Sequence, residues 1–149
     1  MILYVEDILR EVNILNWYKG EAEKHGDANA VFVQSNANTQ EALMYHLRSA
    51  VVDVLKLANA NRVKFTCDHK DDMLIFSLSP LREGREHLLA LLKEAIRQYL
   101  VYEIRRLWMA NIRPDWAEGS LVAPLRDDIC QVMNDVTTGE MVRRRYRWI

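Results

Sequence analysis

Glycine and proline are scarce in this sequence, with five glycines and three prolines in 149 residues. Because glycine and proline are common in turns and loops, their scarcity favours long helices and strands over a loop-rich architecture. Only two cysteines, Cys67 and Cys130, are present, which is too few for a disulfide framework. Each lies in an apolar pattern, so we predict two buried thiols in a reducing compartment.

An excess of charge of one sign is also missing. The net charge of −1 gives no overall argument for binding to nucleic acid or to a membrane. The first residues, MILYVEDILREV, carry acids where a signal peptide would need a basic region. With 50% hydrophobic and 28% charged residues, the composition is that of a globular protein. We therefore expect a cytoplasmic protein with one domain, residues 1–142, followed by a short tail, residues 143–149.

Motifs for catalysis and for metal binding are not visible. No two histidines stand in an HxxxH or HExxH spacing, and no pair of Glu-x-x-His motifs occurs. No glycine-rich loop indicates a phosphate site, and no nucleophile motif surrounds the cysteines or serines. The sequence therefore predicts a non-enzymatic protein without metal or cofactor. The residues considered were His25, His46, His69, His87, Cys67, Cys130, Ser77 and Ser79.

The most apolar stretch, residues 88–110, predicts a long helix that is apolar on most of its sides. Extended from Glu83 to Asn111, it would be about 40 Å long at 1.5 Å per residue. Charged residues such as Lys93, Glu94 and Arg97 interrupt it, which argues against a membrane span. A helix of this kind must be covered on most sides, either by its own domain or by a neighbouring subunit.

The remaining elements follow from the spacing of apolar residues. The pattern predicts helices over residues 5–24, 40–59 and 125–136, and a hairpin over residues 63–78 with a turn at 69–72. A short strand at residues 30–34 could add a third strand to the hairpin. Pro114 ends the long helix, and Pro124 either kinks the last helix or begins it. The predicted fold class is α+β and mainly helical, with about four helices around a long central helix and a small antiparallel β-hairpin.

Glu103 lies in the apolar middle of the long helix. A carboxylate in such surroundings must be paired or lie at the edge of the core, so we predict an ion pair with Arg106 or Arg97. The alternative is a contact with a second subunit. We expect the part of the helix from Glu103 to Met109 to be left for that subunit, which makes Glu103, Arg106 and Trp108 predicted interaction residues.

The tail combines four arginines with two aromatic residues. Removing these four positive charges from the net charge of −1 leaves −5 for the rest of the chain. Three interpretations remain open: a solvated tail, an arm that docks on an acidic protein partner, and a segment that binds nucleic acid. A terminal indole has little reason to be solvated, so we favour docking. The predicted interaction residues in the tail are Arg143, Arg144, Arg145, Tyr146, Arg147 and Trp148.

The second half of the chain resembles a group of small proteins encoded in the structural-gene operons of Bacteroidetes phages and prophages. The similarity covers residues 90–149. It comprises a tyrosine-rich helix ending in tryptophan, EAIRQYLVYEIRRLWMANIRPDWAE, a break containing proline, a helix carrying acids, and an arginine-aromatic tail. The chain departs from the pattern at Gly119 and Pro124. The matching residues are Tyr99, Tyr102, Trp108, Pro114, Glu118 and the tail from Arg143 to Trp148.

The resemblance implies a role in virion assembly, as a head-completion, connector or tail-associated protein. We therefore expect a structural protein that acts by protein-protein association, as a homo-oligomer or on a larger particle. The alternative is a small nucleic-acid-binding or regulatory protein that uses the arginine-rich tail.

Overall fold

A computed structural model describes residues 1–24, 37–60, 64–112 and 119–137. The elements follow in the order β1 (Ile2–Tyr4), α1 (Val5–Lys24), α2 (Ala37–Ala60), β2 (Lys64–Lys70), β3 (Met73–Ser79), α3 (Leu88–Ile112) and α4 (Val122–Thr137). The predicted α+β, mainly helical fold is confirmed. The predicted strand at 30–34 and the proline break at 113–114 lie outside the described residues.

Helix α3 is the centre of the structure. It contacts α1, α2, α4 and β1, and its buried side chains are distributed around most of its circumference. It begins at Leu88 rather than at Glu83, because residues 83–87 form turns, with Gly84 at a φ of 76°. The buried apolar residues of α3 are Leu92, Ile96, Tyr99, Leu100, Val101, Ile104, Trp108 and Met109.

The three described strands form an antiparallel sheet in the order β1-β3-β2. The predicted hairpin is confirmed, with Lys64 opposite Ser79 and Lys70 opposite Met73. The turn has two residues instead of the four that we expected, because strand pairing continues to Lys70. Asp71 occupies the turn at a φ of 52°, a left-handed conformation that Asp tolerates better than most residues. Strand β1 was not predicted.

The two faces of the sheet have different surroundings. Alternation along the strands directs Leu3, Phe65, Leu74 and Phe76 towards the helices, where all four are buried. The Phe65 and Phe76 rings stack with their centroids 5.4 Å apart. No residue on the opposite face is buried. We call this opposite side the outer face of the sheet.

The hairpin turn also caps helix α1, which begins directly after β1. The Val5 N–H donates to the backbone carbonyl of Asp72 at 2.9 Å, and the Glu6 N–H donates to Asp72 Oδ1 at 3.0 Å. The first N–H groups of a helix have no partner within the helix. Asp72 therefore provides from a distant part of the chain what an N-cap residue usually provides locally.

Helices α3 and α4 run antiparallel. The turn that precedes α4 lies beside Arg106, since a Cβ at Gly119 would be 3.9 Å from Arg106 Cδ. At the other end, the Val136 carbonyl accepts a hydrogen bond from the Arg82 N–H, upstream of α3. Pro124 lies in the first turn of α4, where its missing N–H costs no helical hydrogen bond. The helix therefore begins before this proline.

None of the described helices is both long and apolar enough to cross a lipid bilayer.

We expect Asp72→Ala to lower the free energy of unfolding by about 1 kcal/mol, because the Glu6 N–H at the start of α1 then loses its acceptor. Asp72→Asn keeps an oxygen acceptor and removes only the charge that favours a helix N-terminus, so it should cost less. Urea unfolding followed by circular dichroism measures both variants. An equal loss in the two would show that the cap hydrogen bond contributes nothing.

Candidate functional site

Glu103 and Arg106 form a two-pronged ion pair on helix α3. Arg106 Nε and Nη2 donate to the two Glu103 carboxylate oxygens at 2.8 and 2.7 Å. The Glu103 side chain is 5% exposed and that of Arg106 is 34% exposed. The hydrogen bond to Glu103 raises the pKa of the Arg106 guanidinium. The predicted ion pair at the edge of the core is therefore present, with Arg106 as the partner.

Tyr99 lies one turn before Glu103 on the same helix and is fully buried. Burial, with a smaller contribution from the Glu103 carboxylate, raises the pKa of its phenol to about 12. The phenol is therefore protonated at neutral pH. Both carboxylate oxygens of Glu103 accept hydrogen bonds from Arg106. Tyr99 and Glu103 therefore support the helix structurally, and Glu103 is not a ready proton acceptor.

Trp108 is buried inside the chain rather than displayed to a partner. Its ring meets His46 of α2 edge-to-face, with centroids 6.5 Å apart, and the Tyr45 ring also meets His46 edge-to-face. Burial lowers the pKa of His46. Glu103, Ile104, Trp108 and Met109 are all buried. The same chain therefore covers four of the seven residues from Glu103 to Met109, whereas Arg105, Arg106 and Leu107 are half-buried. A contact of this segment with a second subunit stays a prediction.

Arg97 joins helices α1 and α3. Its guanidinium pairs with Glu94 through two hydrogen bonds of 2.9 and 2.6 Å and contacts Glu11 of α1. The hydrogen bond from Arg97, with a further one from Gln98, lowers the pKa of Glu94 to about 2. The sequence left Arg97 as a second possible partner of Glu103. In the structure Arg97 pairs with the carboxylates of Glu94 and Glu11 instead.

A depression of about 570 Å³ lies where α1, α2 and the hairpin turn meet. Its polar side chains include those of Glu6, His69, Asp71 and Asp72. One Asp72 oxygen already accepts the Glu6 N–H. No group of histidine, cysteine and acidic residues in the described ranges has the arrangement of a metal site. The polar side chains that line the depression therefore do not have an arrangement that indicates a chemical reaction.

Cys67 and Cys130 are free thiols, and both are half-buried rather than buried as predicted. Burial, reinforced by the neighbouring carboxylate of Asp68, raises the pKa of the Cys67 thiol to about 11. Nucleophilic cysteines need the opposite shift, since the thiolate is the reactive form.

A groove of about 310 Å³ runs between α3 and α4. Leu91, Ala95, Leu125 and Val132 provide its apolar surface, and polar side chains including Glu94 and Asp128 flank it. Leu91 is 56% exposed although it lies on the central helix. We refer to this feature as the α3/α4 groove.

The edge of the sheet formed by β1, at which no other described strand pairs, is a second exposed apolar feature. Ile2 and Tyr4 of β1 are 42% and 51% exposed, on the outer face of the sheet. Sequence reasoning assigned no role to β1 or to the groove. Ile2, Leu3 and Tyr4 are all apolar, so the sequence shows no alternation here. Three residues before a strong helical pattern are also too few to indicate a strand.

The predicted tail residues Arg143, Arg144, Arg145, Tyr146, Arg147 and Trp148 lie outside the described residues. In comparisons with protein-family models, curated proteins and solved structures, nothing matches this chain.

Removing one partner of the Glu103–Arg106 pair should cost unequal amounts of stability. Arg106→Met leaves a buried carboxylate without its counter-charge, which we expect to cost about 3 kcal/mol. Glu103→Gln leaves Arg106 able to turn towards water, so we expect a loss of about 1 kcal/mol. Chemical unfolding of both variants measures the difference. A larger loss in Glu103→Gln would contradict the assignment of Glu103 as the buried member.

Glu94 should make the stability of the protein depend on pH in the acid range. Folding lowers its pKa from 4.5 to about 2, so its contribution is present above pH 4.5 and is lost as the pH falls through about 2. Wild type should therefore exceed Glu94→Gln in unfolding free energy at pH 7, and the difference should vanish near pH 2.

Glu41→Gln is the matched control, because Glu41 is an exposed acid on α2 without an ion pair to the residues that the structure describes. The two Gln variants are compared by unfolding at a series of pH values. A constant difference between wild type and Glu94→Gln from pH 7 to pH 2 would contradict the assigned ion pair.

Proposed function

We propose that this protein is a non-enzymatic structural or assembly protein of the phage or prophage type, and that it works by associating with other protein subunits. The observation that carries the proposal is the apolar edge of the sheet at β1, where none of the strands in the described residues pairs. The resemblance of residues 90–149 to small proteins of phage structural operons supports the same class.

The hydrogen bonds of β1 alternate along the strand. Met1 exchanges two hydrogen bonds with Phe76, at 2.7 and 2.8 Å, and Val5 donates to Asp72. In an antiparallel pair the residues between such positions direct their backbone groups away from the neighbouring strand. The N–H groups of Ile2 and Tyr4 therefore point to an edge at which none of the described strands pairs.

The side chains at this edge form an apolar cluster on the outer face of the sheet. Ile2 stands opposite Ile75, and Tyr4 stands opposite Met73. Both β3 residues are half-buried. An apolar cluster on the surface commonly marks a protein interface. A neighbouring strand can also bind to free N–H and C=O groups at a sheet edge.

The opposite edge of the sheet has a different character. Strand β2 presents Lys64, Asp68 and Lys70 to solvent, and charged side chains on an edge strand hinder pairing with another chain. Only one of the two edges in the described sheet is therefore suited to association. This asymmetry favours β1 as the interacting strand.

We assign a second copy of the same chain as the occupant. Two β1 strands can pair antiparallel about a two-fold axis at Leu3, with Ile2 opposite the partner's Tyr4. Residues directly opposite each other share a face of the sheet, so the apolar outer clusters of both copies become continuous. The same surface of both copies then forms the interface, as in the isologous interface of a two-fold dimer.

The prediction is that the wild-type chain has the mass of a dimer or larger assembly in size-exclusion chromatography with light scattering. The double variant Ile2→Lys/Tyr4→Lys should have the mass of one chain, because it places charges on the apolar cluster. Thr66→Lys on the exposed outer face of β2 is the matched control and should leave the mass unchanged.

A wild-type chain that stays monomeric at the highest soluble concentration would overturn the β1 interface. If that monomer shifted in mass only on addition of DNA at low salt, the alternative function as a nucleic-acid-binding protein would be favoured instead. Binding through the four tail arginines would weaken as salt concentration rises. The two functions therefore give different results in one experiment.

A further inference from the structure

The α3/α4 groove has two properties that select the kind of segment that could bind there. Its surface combines aliphatic side chains, with Leu91 the most exposed, and acids at the margins, Glu94 and Asp128. Glu94 is already paired with Arg97. Asp128 has no ion pair with the residues that the structure describes. A ligand that fits would bring apolar side chains together with positive charge.

The sequence of the chain contains such a segment after α4. Residues 143–149, RRRYRWI, carry four arginines and no acid, whereas the rest of the chain has a net charge of −5. In an extended chain Tyr146 and Trp148 would lie on one side and Arg145 and Arg147 on the other. That alternation matches a groove with an aliphatic surface and acidic margins, since aromatic and arginine side chains are favoured anchors at protein interfaces.

The length of the chain permits this segment to reach the groove of its own molecule. Helix α4 ends at Thr137, and Val132 lies five residues before that end, about 7.5 Å along the helix at 1.5 Å per residue. Residues 138–142 connect Thr137 to Arg143, and six extended steps of about 3.3 Å cover roughly 20 Å. The segment can therefore turn back along α4 as far as Leu125.

We propose that residues 143–149 bind in the α3/α4 groove of the same chain, with Tyr146 and Trp148 against Leu91, Leu125 and Val132 and an arginine paired with Asp128. A short connection keeps the effective concentration of the segment at the groove high. The groove of the same molecule is therefore favoured over that of a second copy. This binding is independent of the proposed β1 interface, which lies on the sheet.

The test is photochemical cross-linking in the full-length chain with benzoylphenylalanine in place of Trp148, followed by digestion and mass spectrometry. The expected product has the mass of one chain and joins residue 148 to residues 88–98 of α3 or 122–137 of α4. The same aromatic group in place of Tyr45, which is exposed on α2, is the control for non-specific capture and should not give this product.

Two pairs of variants test the chemistry of the groove. Leu91→Lys should lower the yield of the product about tenfold, as expected for the loss of one well-packed anchor, whereas Val52→Lys, an equally exposed aliphatic position on α2, should not. Asp128→Arg should also lower the yield, whereas Asp68→Arg on the outer face of the sheet should not. Circular dichroism verifies that each variant is folded.

Products with the mass of two chains would overturn the proposal by showing that a second copy provides the segment. Cross-links outside α3 and α4, or no cross-links at all, would overturn it as well. So would an equal loss of yield in the variants of the groove and in their controls. None of these outcomes depends on whether the chain dimerises through β1, because the mass of the cross-linked product is determined separately from that of the assembly.

Discussion

The structure depends on covering a helix that is apolar around most of its circumference. Helix α3 buries side chains as far apart along its length as Leu92 and Met109, and no single neighbour can cover them all. Helices α1, α2 and α4 and strand β1 each contact part of it. The hydrophobic effect grows with the apolar area removed from water, so this arrangement makes α3 the shared packing partner of α1, α2, α4 and β1.

Charged residues of α3 lie at the edge of the core, where the neighbouring elements no longer cover the helix. Glu103 is compensated by Arg106 one turn away, and Arg97 connects α3 to a carboxylate on α1 as well as to Glu94. Burial of a carboxylate is costly unless it is paired, so these ion pairs let α3 carry charge close to the core. Leu91 and the Ile2–Tyr4 cluster are exposed apolar features that lie outside these pairs. One belongs to a helix groove and the other to a sheet edge, so they suit different occupants.

The sequence predicted elements whose signals are local and periodic. The bounds of α1 were predicted as observed, and those of α2, α3 and the hairpin were close, because apolar spacing over many residues distinguishes helix from strand. Strand β1 and the Asp72 cap could not be predicted in this way, since each depends on a contact between distant parts of the chain. The burial of Trp108 could not be predicted for the same reason, because its neighbours include His46 of α2. The predicted Glu103 pair succeeded because its partner is on the same helix.

The long-range cap of α1 has a consequence for the order in which the chain is completed. The acceptor for the Glu6 N–H is 66 residues further along the chain, and β1 pairs with a strand that follows the same turn. At roughly 5–20 residues per second, synthesis delivers that turn several seconds after α1. Until then β1 lacks its pairing with β3 and α1 lacks the Asp72 cap, although both elements have been synthesised. Residues 1–24 therefore complete these contacts only after the middle of the chain has been synthesised.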